Sequence, residues 1–207
     1  MPINSYLCTR KKRITMEEKE YFDKYEDRLI EQLVKVCSER GALGDREIEV
    51  EEALTEWNSM APEYMTDAVT QINSYPAFTL AVAGYVGMAV ARGWDENWEK
   101  SVPFIYRALC GPQGFDYADE HILQVVLGYT LESGEARFRE DILRACAHTA
   151  MSQIRHEEVE GQTSKALYIL ARSARAMFRI GLSIELHSRG YRYERMVIPM
   201  PTSEQAN

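Results

Sequence analysis

The stretch PAFTLAVAGYVGMAVARGW at residues 76–94 is the most apolar part of the 207-residue chain, and it carries no charge from Ala77 to Ala91. Apolar residues fall on every face of the helix it would form, which is typical of a helix surrounded by others. Fifteen residues rising 1.5 Å each cover about 22 Å, less than the roughly 30 Å of a hydrocarbon core. The stretch is therefore predicted to be the central helix of a bundle, with a buried subunit interface as the alternative.

A row of small side chains on this helix indicates a close helix crossing. Thr79, Ala83, Gly87 and Ala91 follow one another at intervals of four, so they share one side. Small groups let a neighbouring backbone approach, and that packing can offset the ~1 kcal/mol that each glycine costs in helix propensity. Leucine at position 87 is therefore expected to be badly tolerated.

The sequence on both sides of this stretch also favours helices. Thr15 to Glu18 form a capping box, and the apolar stripe that follows it ends at Gly41. Further helix starts are predicted at Asp45, Pro62, Asp95 and Asp116, with the Asp116 helix running through Tyr129 and a turn at 111–114 before it. Two long helices then extend to Gly190, broken at 160–161, and they are expected to pack as an antiparallel pair.

These patterns predict the fold class and the domain boundaries. No sustained period-two alternation and no repeat of 20 to 50 residues occurs, so the fold is predicted to be all-α, a single-domain bundle of seven or eight helices around the helix at about 77–91. Residues 1–14 are expected to be a flexible basic arm, 15–190 the helical domain, and 191–207 an extended arm with a disordered tail. Pro199 and Pro201 prevent that arm from continuing as helix.

Composition and cysteine spacing narrow the class of protein. With 45% hydrophobic and 27% charged residues, the chain is typical of a soluble globular protein. Its four cysteines include no CxxC pair, which argues against a zinc site or a disulfide framework and favours buried, reduced thiols. The first residues lack the apolar region of a secretory signal. A cytoplasmic location is therefore expected.

No catalytic or metal-binding motif occurs in the sequence. It has no Gly-x-Ser-x-Gly elbow and no glycine-rich phosphate loop, and none of the four histidines follows a carboxylate by three positions as di-metal helical sites require. Asp116, Asp119, Glu120 and His121 crowd one predicted helix start, where acids compensate the helix dipole; a divalent cation is a minor alternative. No cofactor and no metal site are predicted.

Charge is distributed unevenly along the chain. The net charge is −8, yet residues 10–13 are all basic, and residues 161–200 carry seven basic side chains against two acidic ones. The acidic body between these regions disfavours nucleic acid as a partner. Lys165, Arg172, Arg175 and Arg179 share one face of the last long helix. They are expected either to pair with the acidic first helices or to bind an anion, which guanidinium groups hold in two-pronged fashion.

Two functional hypotheses follow. The absence of catalytic motifs favours a protein that works through self-association or a protein partner, with no membrane contact. Its interface is expected at the C-terminal arm, which docks on a neighbouring helix or a second subunit through Tyr191, Tyr193, Met196, Val197 and Ile198. The alternative is a small-molecule binder or enzyme whose pocket between helices holds an anionic ligand, lined by Arg172, Arg175, Arg179, Trp98 and Tyr106.

Overall fold

The structure, a computed structural model, describes residues 15–97 and 104–193. At its centre lies helix α3, Pro76–Asn97, in which every residue from Thr79 to Ala91 is buried. The central position predicted from its all-round apolar pattern is confirmed. Within the two described ranges, none of the helices has the length and hydropathy needed to span a bilayer.

The described residues form seven α-helices and no strand, so the predicted all-α bundle is confirmed. Besides α3 they are α1, Met16–Glu39; α2, Glu51–Gln71; α4, Tyr106–Cys110; α5, Ala118–His121; α6, Gly134–His156; and α7, Ser164–Ser188. A 3₁₀ turn at Phe115–Tyr117 precedes α5, and a π-helical turn at Ile122–Val126 follows it. The capping box at Thr15 is present, and Gly41 ends the first helical region with a φ of +72°.

Helix α7 packs most extensively on α3, and glycines make their crossing close. A Cβ atom at Gly87 would lie 2.0 Å from the carbonyl oxygen of Phe178, and one at Gly181 would lie 1.9 Å from the carbonyl oxygen of Gly84. Neither position has room for a side chain, because the facing atoms belong to the backbone. The close crossing predicted from the small residues of α3 is confirmed.

Helices α1 and α6 complete the core around this crossing. Arg139 near the start of α6 contacts Glu185 near the end of α7, so these two helices run antiparallel, as predicted. Cys37 of α1 lies against Cys146 of α6 with 3.4 Å between the sulfur atoms, and both thiols are free and fully buried.

Two predicted helix starts in the first half of the chain are wrong. Residues 45–50 are not helical, and α2 begins at Glu51, because the backbone of Ile48 is held by the Ser183 hydroxyl of α7 at 3.0 Å. Pro62 lies inside α2 instead of opening a new helix. It removes one amide donor, but the buried face that includes Trp57, Met60 and Tyr64 continues across it.

Two further helices differ from prediction. Helix α3 continues past Gly93 to Asn97. Asp95 accepts hydrogen bonds from the C-terminal region instead of capping a new helix. Positions 98–103 of the predicted helix, which include Trp98, lie outside the described residues. The predicted helix from Asp116 to Tyr129 is divided into three short turns, and Asp116 does not cap it. The tight turn before it is confirmed by the hydrogen bond from the Gly114 amide to the Gly111 carbonyl.

Candidate functional site

The predicted row of arginines on α7 surrounds one buried carboxylate. Glu26 of α1 is 2% exposed, and Arg172, Arg175 and Arg179 approach its oxygens at 2.8, 3.4 and 3.2 Å. The spacing of the arginines along one helix face brings all three to the same side of α1. Lys165 lies apart from this cluster, with its ammonium nitrogen 4.7 Å from the ring centre of Tyr21.

Arg179 also joins the helical core to the extended segment 45–50. Its guanidinium contacts Glu47 at 2.5 Å and Glu49 at 2.9 Å. Burial raises the pKa of Glu47 to about 7, because Arg179 compensates the loss of water only in part and Glu49 adds a like charge nearby. The segment is therefore held to α7 both by these ion pairs and by the Ile48 backbone.

Where the structure describes them, the predicted members of an anion pocket have different partners. The three arginines contact internal carboxylates, whereas Tyr106 packs on Tyr64 of α2 and its hydroxyl donates to Asp67 at 3.2 Å. Trp98 lies outside the described residues. The contacts therefore favour the alternative in which the arginines pair with the acidic helices.

An acidic cleft of about 620 Å³ opens beside the arginine cluster, between α1 and the segment 45–50. Its lining combines four carboxylates, one arginine and three apolar or aromatic side chains: Ile30, Glu31, Val34, Asp45, Arg46, Glu47, Glu49 and Tyr193. Glu31 and Asp45 are exposed, and neither forms an ion pair with another described residue. The cleft therefore presents negative charge that the described part of the chain does not neutralise.

The start of the C-terminal arm lies against its own chain. The Tyr191 hydroxyl donates to Asp95 at 2.6 Å, and its ring lies 5.9 Å from that of Trp94. This hydrogen bond lowers the pKa of Asp95 and raises that of Tyr191. Tyr193 forms one wall of the acidic cleft, with Arg46 5.1 Å from its ring centre. The remaining predicted interface residues, Met196, Val197 and Ile198, lie outside the described residues.

A second buried charge lies where α3, α6 and α7 meet. Glu185 is fully buried, and Arg139 donates to its Oε2 from Nε at 3.2 Å and from Nη2 at 2.9 Å. Arg139 also lies 4.2 Å from the ring centre of Tyr129. The other oxygen, Oε1, has no hydrogen-bond partner among the described residues, and Arg92 lies 3.9 Å from it.

Glu26 and Glu185 are not among the site residues predicted from the sequence, although the pattern around each carries a signal. Glu26 follows Phe22 by four positions and precedes Leu29 by three, so it lies on the buried stripe of α1. Glu185 is the one acidic residue of α7 and stands within an apolar run. A carboxylate on an apolar face is expected to find a cation there, since an unpaired buried charge is costly. The spacing does not identify which lysine or arginine pairs with each carboxylate.

Comparison with known proteins gives no relative. The chain matches no protein-family model, no curated protein and no solved structure. In residues 15–97 and 104–193, no three histidine, cysteine, aspartate or glutamate side chains are placed to hold a metal ion.

Proposed function

We propose that this protein works by self-association, and that the acidic cleft of one copy receives the basic segment of residues 10–13 from another copy. The observation that supports this most directly is the pair of exposed carboxylates in the cleft, Glu31 and Asp45, which have no cation partner in the described ranges. The segment Arg-Lys-Lys-Arg at 10–13 supplies four positive charges.

Charge favours this occupant. Arg179 already engages Glu47 and Glu49 from the core side, so the outer carboxylates are those that an incoming segment would meet. Guanidinium and ammonium groups form charge-assisted hydrogen bonds with carboxylates, and lysine and arginine stems cover apolar surface. Ile30, Val34 and the ring of Tyr193 offer such a surface in the same cleft.

Chain geometry favours a second copy over the same one. Ile30 and Val34 lie 14 and 18 residues beyond Met16, which along a helix is about 21 to 27 Å. Residues 10–13 precede the cap Thr15 by two to five positions, so their backbone extends at most about 7 to 18 Å from it. Within one chain the basic segment would have to be almost fully extended to bring even Arg10 to the cleft, whereas two copies can exchange segments about a two-fold axis.

The buried thiols support a reducing compartment as the place of this assembly. The sulfur atoms of Cys37 and Cys146 are in contact without a bond between them, a pair that an oxidising compartment tends to join. We accordingly propose a cytoplasmic location.

A charge-exchange experiment tests the proposal. Light scattering measures the mass of the full chain in 50 mM and 500 mM salt, with the larger species expected to dissociate at high salt. Two reversal variants are then compared: residues 10–13 changed to Glu, and Glu31→Lys with Asp45→Lys. Each alone is expected to be monomeric, and combining both in one chain is expected to restore the larger species.

A matched control reverses the same number of charges elsewhere. The control variant carries Glu158→Lys and Glu160→Lys, two positions in the exposed loop between α6 and α7. These changes should leave the mass measured by light scattering unchanged. A monomer under all conditions contradicts self-association. In a third outcome, the cleft reversal breaks the larger species and the reversal of residues 10–13 leaves it intact. That result would assign the cleft to another occupant, such as residues 194–207, and would overturn the proposed one.

A further inference from the structure

A second cavity, of about 270 Å³, lies between α3, α5 and α6. Its lining mixes apolar groups from the start of α3 with ionisable groups from the other two helices: Ala77, Phe78, Ala81, Tyr85, Asp119, Glu140, Arg144 and His148. At roughly 30 Å³ for each water molecule, a cavity of this volume has room for about nine. That volume fits a small organic molecule.

Tyr85 directs an unpartnered hydroxyl toward this cavity. The residue is 3% exposed, and its hydroxyl makes no hydrogen bond with any described residue. Burial raises its pKa, and the charges of Asp119 and Glu140 in the same lining add to that rise. The hydroxyl can therefore donate or accept a hydrogen bond with a ligand in the cavity that Tyr85 lines.

Asp119 places a negative charge in the same cavity without a cation beside it. Burial raises the pKa of its carboxyl, and none of the described lysines or arginines forms an ion pair with it. Arg144, the cation in the lining, is engaged by Glu140 and by Asp141 at 3.4 Å. Asp119 is therefore the uncompensated charge of the cavity.

The geometry points to a binding site for a small primary amine, whose ammonium group lies between the Asp119 carboxylate and the Tyr85 hydroxyl. An ammonium group has three donors, which suits a carboxylate and a phenolic oxygen together. Phe78, in the same lining, gives the organic part of the molecule an aromatic surface to contact. The site is separate from the acidic cleft, because the two cavities have no lining residue in common.

Glu120 provides an internal control for Asp119. The two carboxylates are adjacent in sequence, but Glu120 lines a different cavity together with His121 and Cys110. Asp119 and Glu120 therefore line separate cavities. A change at Glu120 alters the same net charge without touching the proposed site.

Calorimetry with phenethylamine as the probe tests the site. The full chain is expected to bind one equivalent, and 2-phenylethanol, its neutral analogue, is expected to bind at least tenfold more weakly. Asp119→Asn should weaken phenethylamine binding about tenfold or more, since it removes a charged hydrogen bond, and Tyr85→Phe should weaken it severalfold. Glu120→Gln should bind as the unchanged protein does.

The thermal midpoint of Asp119→Asn separates loss of the site from loss of the fold. Because the substitution removes a partly buried charge that lacks a cation, we expect its melting temperature without ligand to be equal or higher. No heat with phenethylamine at millimolar concentration, equal binding of the alcohol, or equal weakening by Glu120→Gln would each overturn the proposal.

Discussion

At the scale of single residues, the buried charges are expected to affect the stability of the fold more than the surface charges do. Glu185 is fully buried and Arg139 is 5% exposed, so each depends on the other for compensation of its charge. Replacing a buried ion pair by apolar residues is often tolerated, whereas removing one partner leaves an unpaired charge in the core. The pair therefore fixes how α6 lies on α7.

A double-mutant cycle measures this dependence. Glu185→Met or Arg139→Met alone is expected to lower the free energy of unfolding by about 3 to 5 kcal/mol, while the double variant should lose less than the sum by about 2 kcal/mol or more. Urea unfolding provides the measurement. The exposed pair Glu140 and Arg144 on the same helix is the matched control, and its methionine variants should each cost less than about 1 kcal/mol. Additive losses at Glu185 and Arg139 would show that they act independently.

At the scale of helices, the features that depend on neighbouring residues were predicted correctly from the sequence. The capping box at Thr15, the stop at Gly41 and the burial of α3 depend on a few neighbouring residues, and all three are present. The non-helical segment 45–50 depends on distant contacts, such as the hydrogen bonds between Ile48 and Ser183, which are 135 positions apart. Spacing along one helix carries no information about such partners.

The crossing of α3 and α7 gives the sharpest test of an element. Gly87→Ala would place a Cβ atom 2.0 Å from the Phe178 carbonyl oxygen, and the backbone of α7 would have to move. We expect this variant to lose about 3 kcal/mol or more of unfolding free energy, at the upper end for overpacking. Chemical denaturation compares it with Gly134→Ala, where a Cβ atom meets nothing within 4 Å in the first turn of α6. Equal stability of the two variants would contradict a backbone-to-backbone crossing.

At the scale of the whole molecule, part of the unevenly distributed charge is neutralised within the chain. The arginines of α7 face Glu26 of α1 and the carboxylates of segment 45–50, so the basic C-terminal third neutralises part of the acidic first third. This pairing is one of the two outcomes predicted from the sequence. The acidic cleft could not be predicted, because it requires α1, the 45–50 segment and Tyr193 to meet in three dimensions.

The start of the C-terminal arm is expected to contribute to the stability of the folded chain. A chain ending at Gly190 loses the hydrogen bond from Tyr191 to Asp95 and the ring contact with Trp94, so we expect its melting temperature to fall by about 2 to 4 °C, equivalent to ~1 kcal/mol. Tyr191→Phe keeps the ring and should recover part of that loss. Because these contacts lie within one copy, light scattering should give the same number of copies for Tyr191→Ala as for the unchanged chain, whereas a chain ending at Gly190 also lacks Tyr193 of the acidic cleft. An unchanged melting temperature would show that the contacts contribute nothing, and a fall in the number of copies would show that the arm joins two chains.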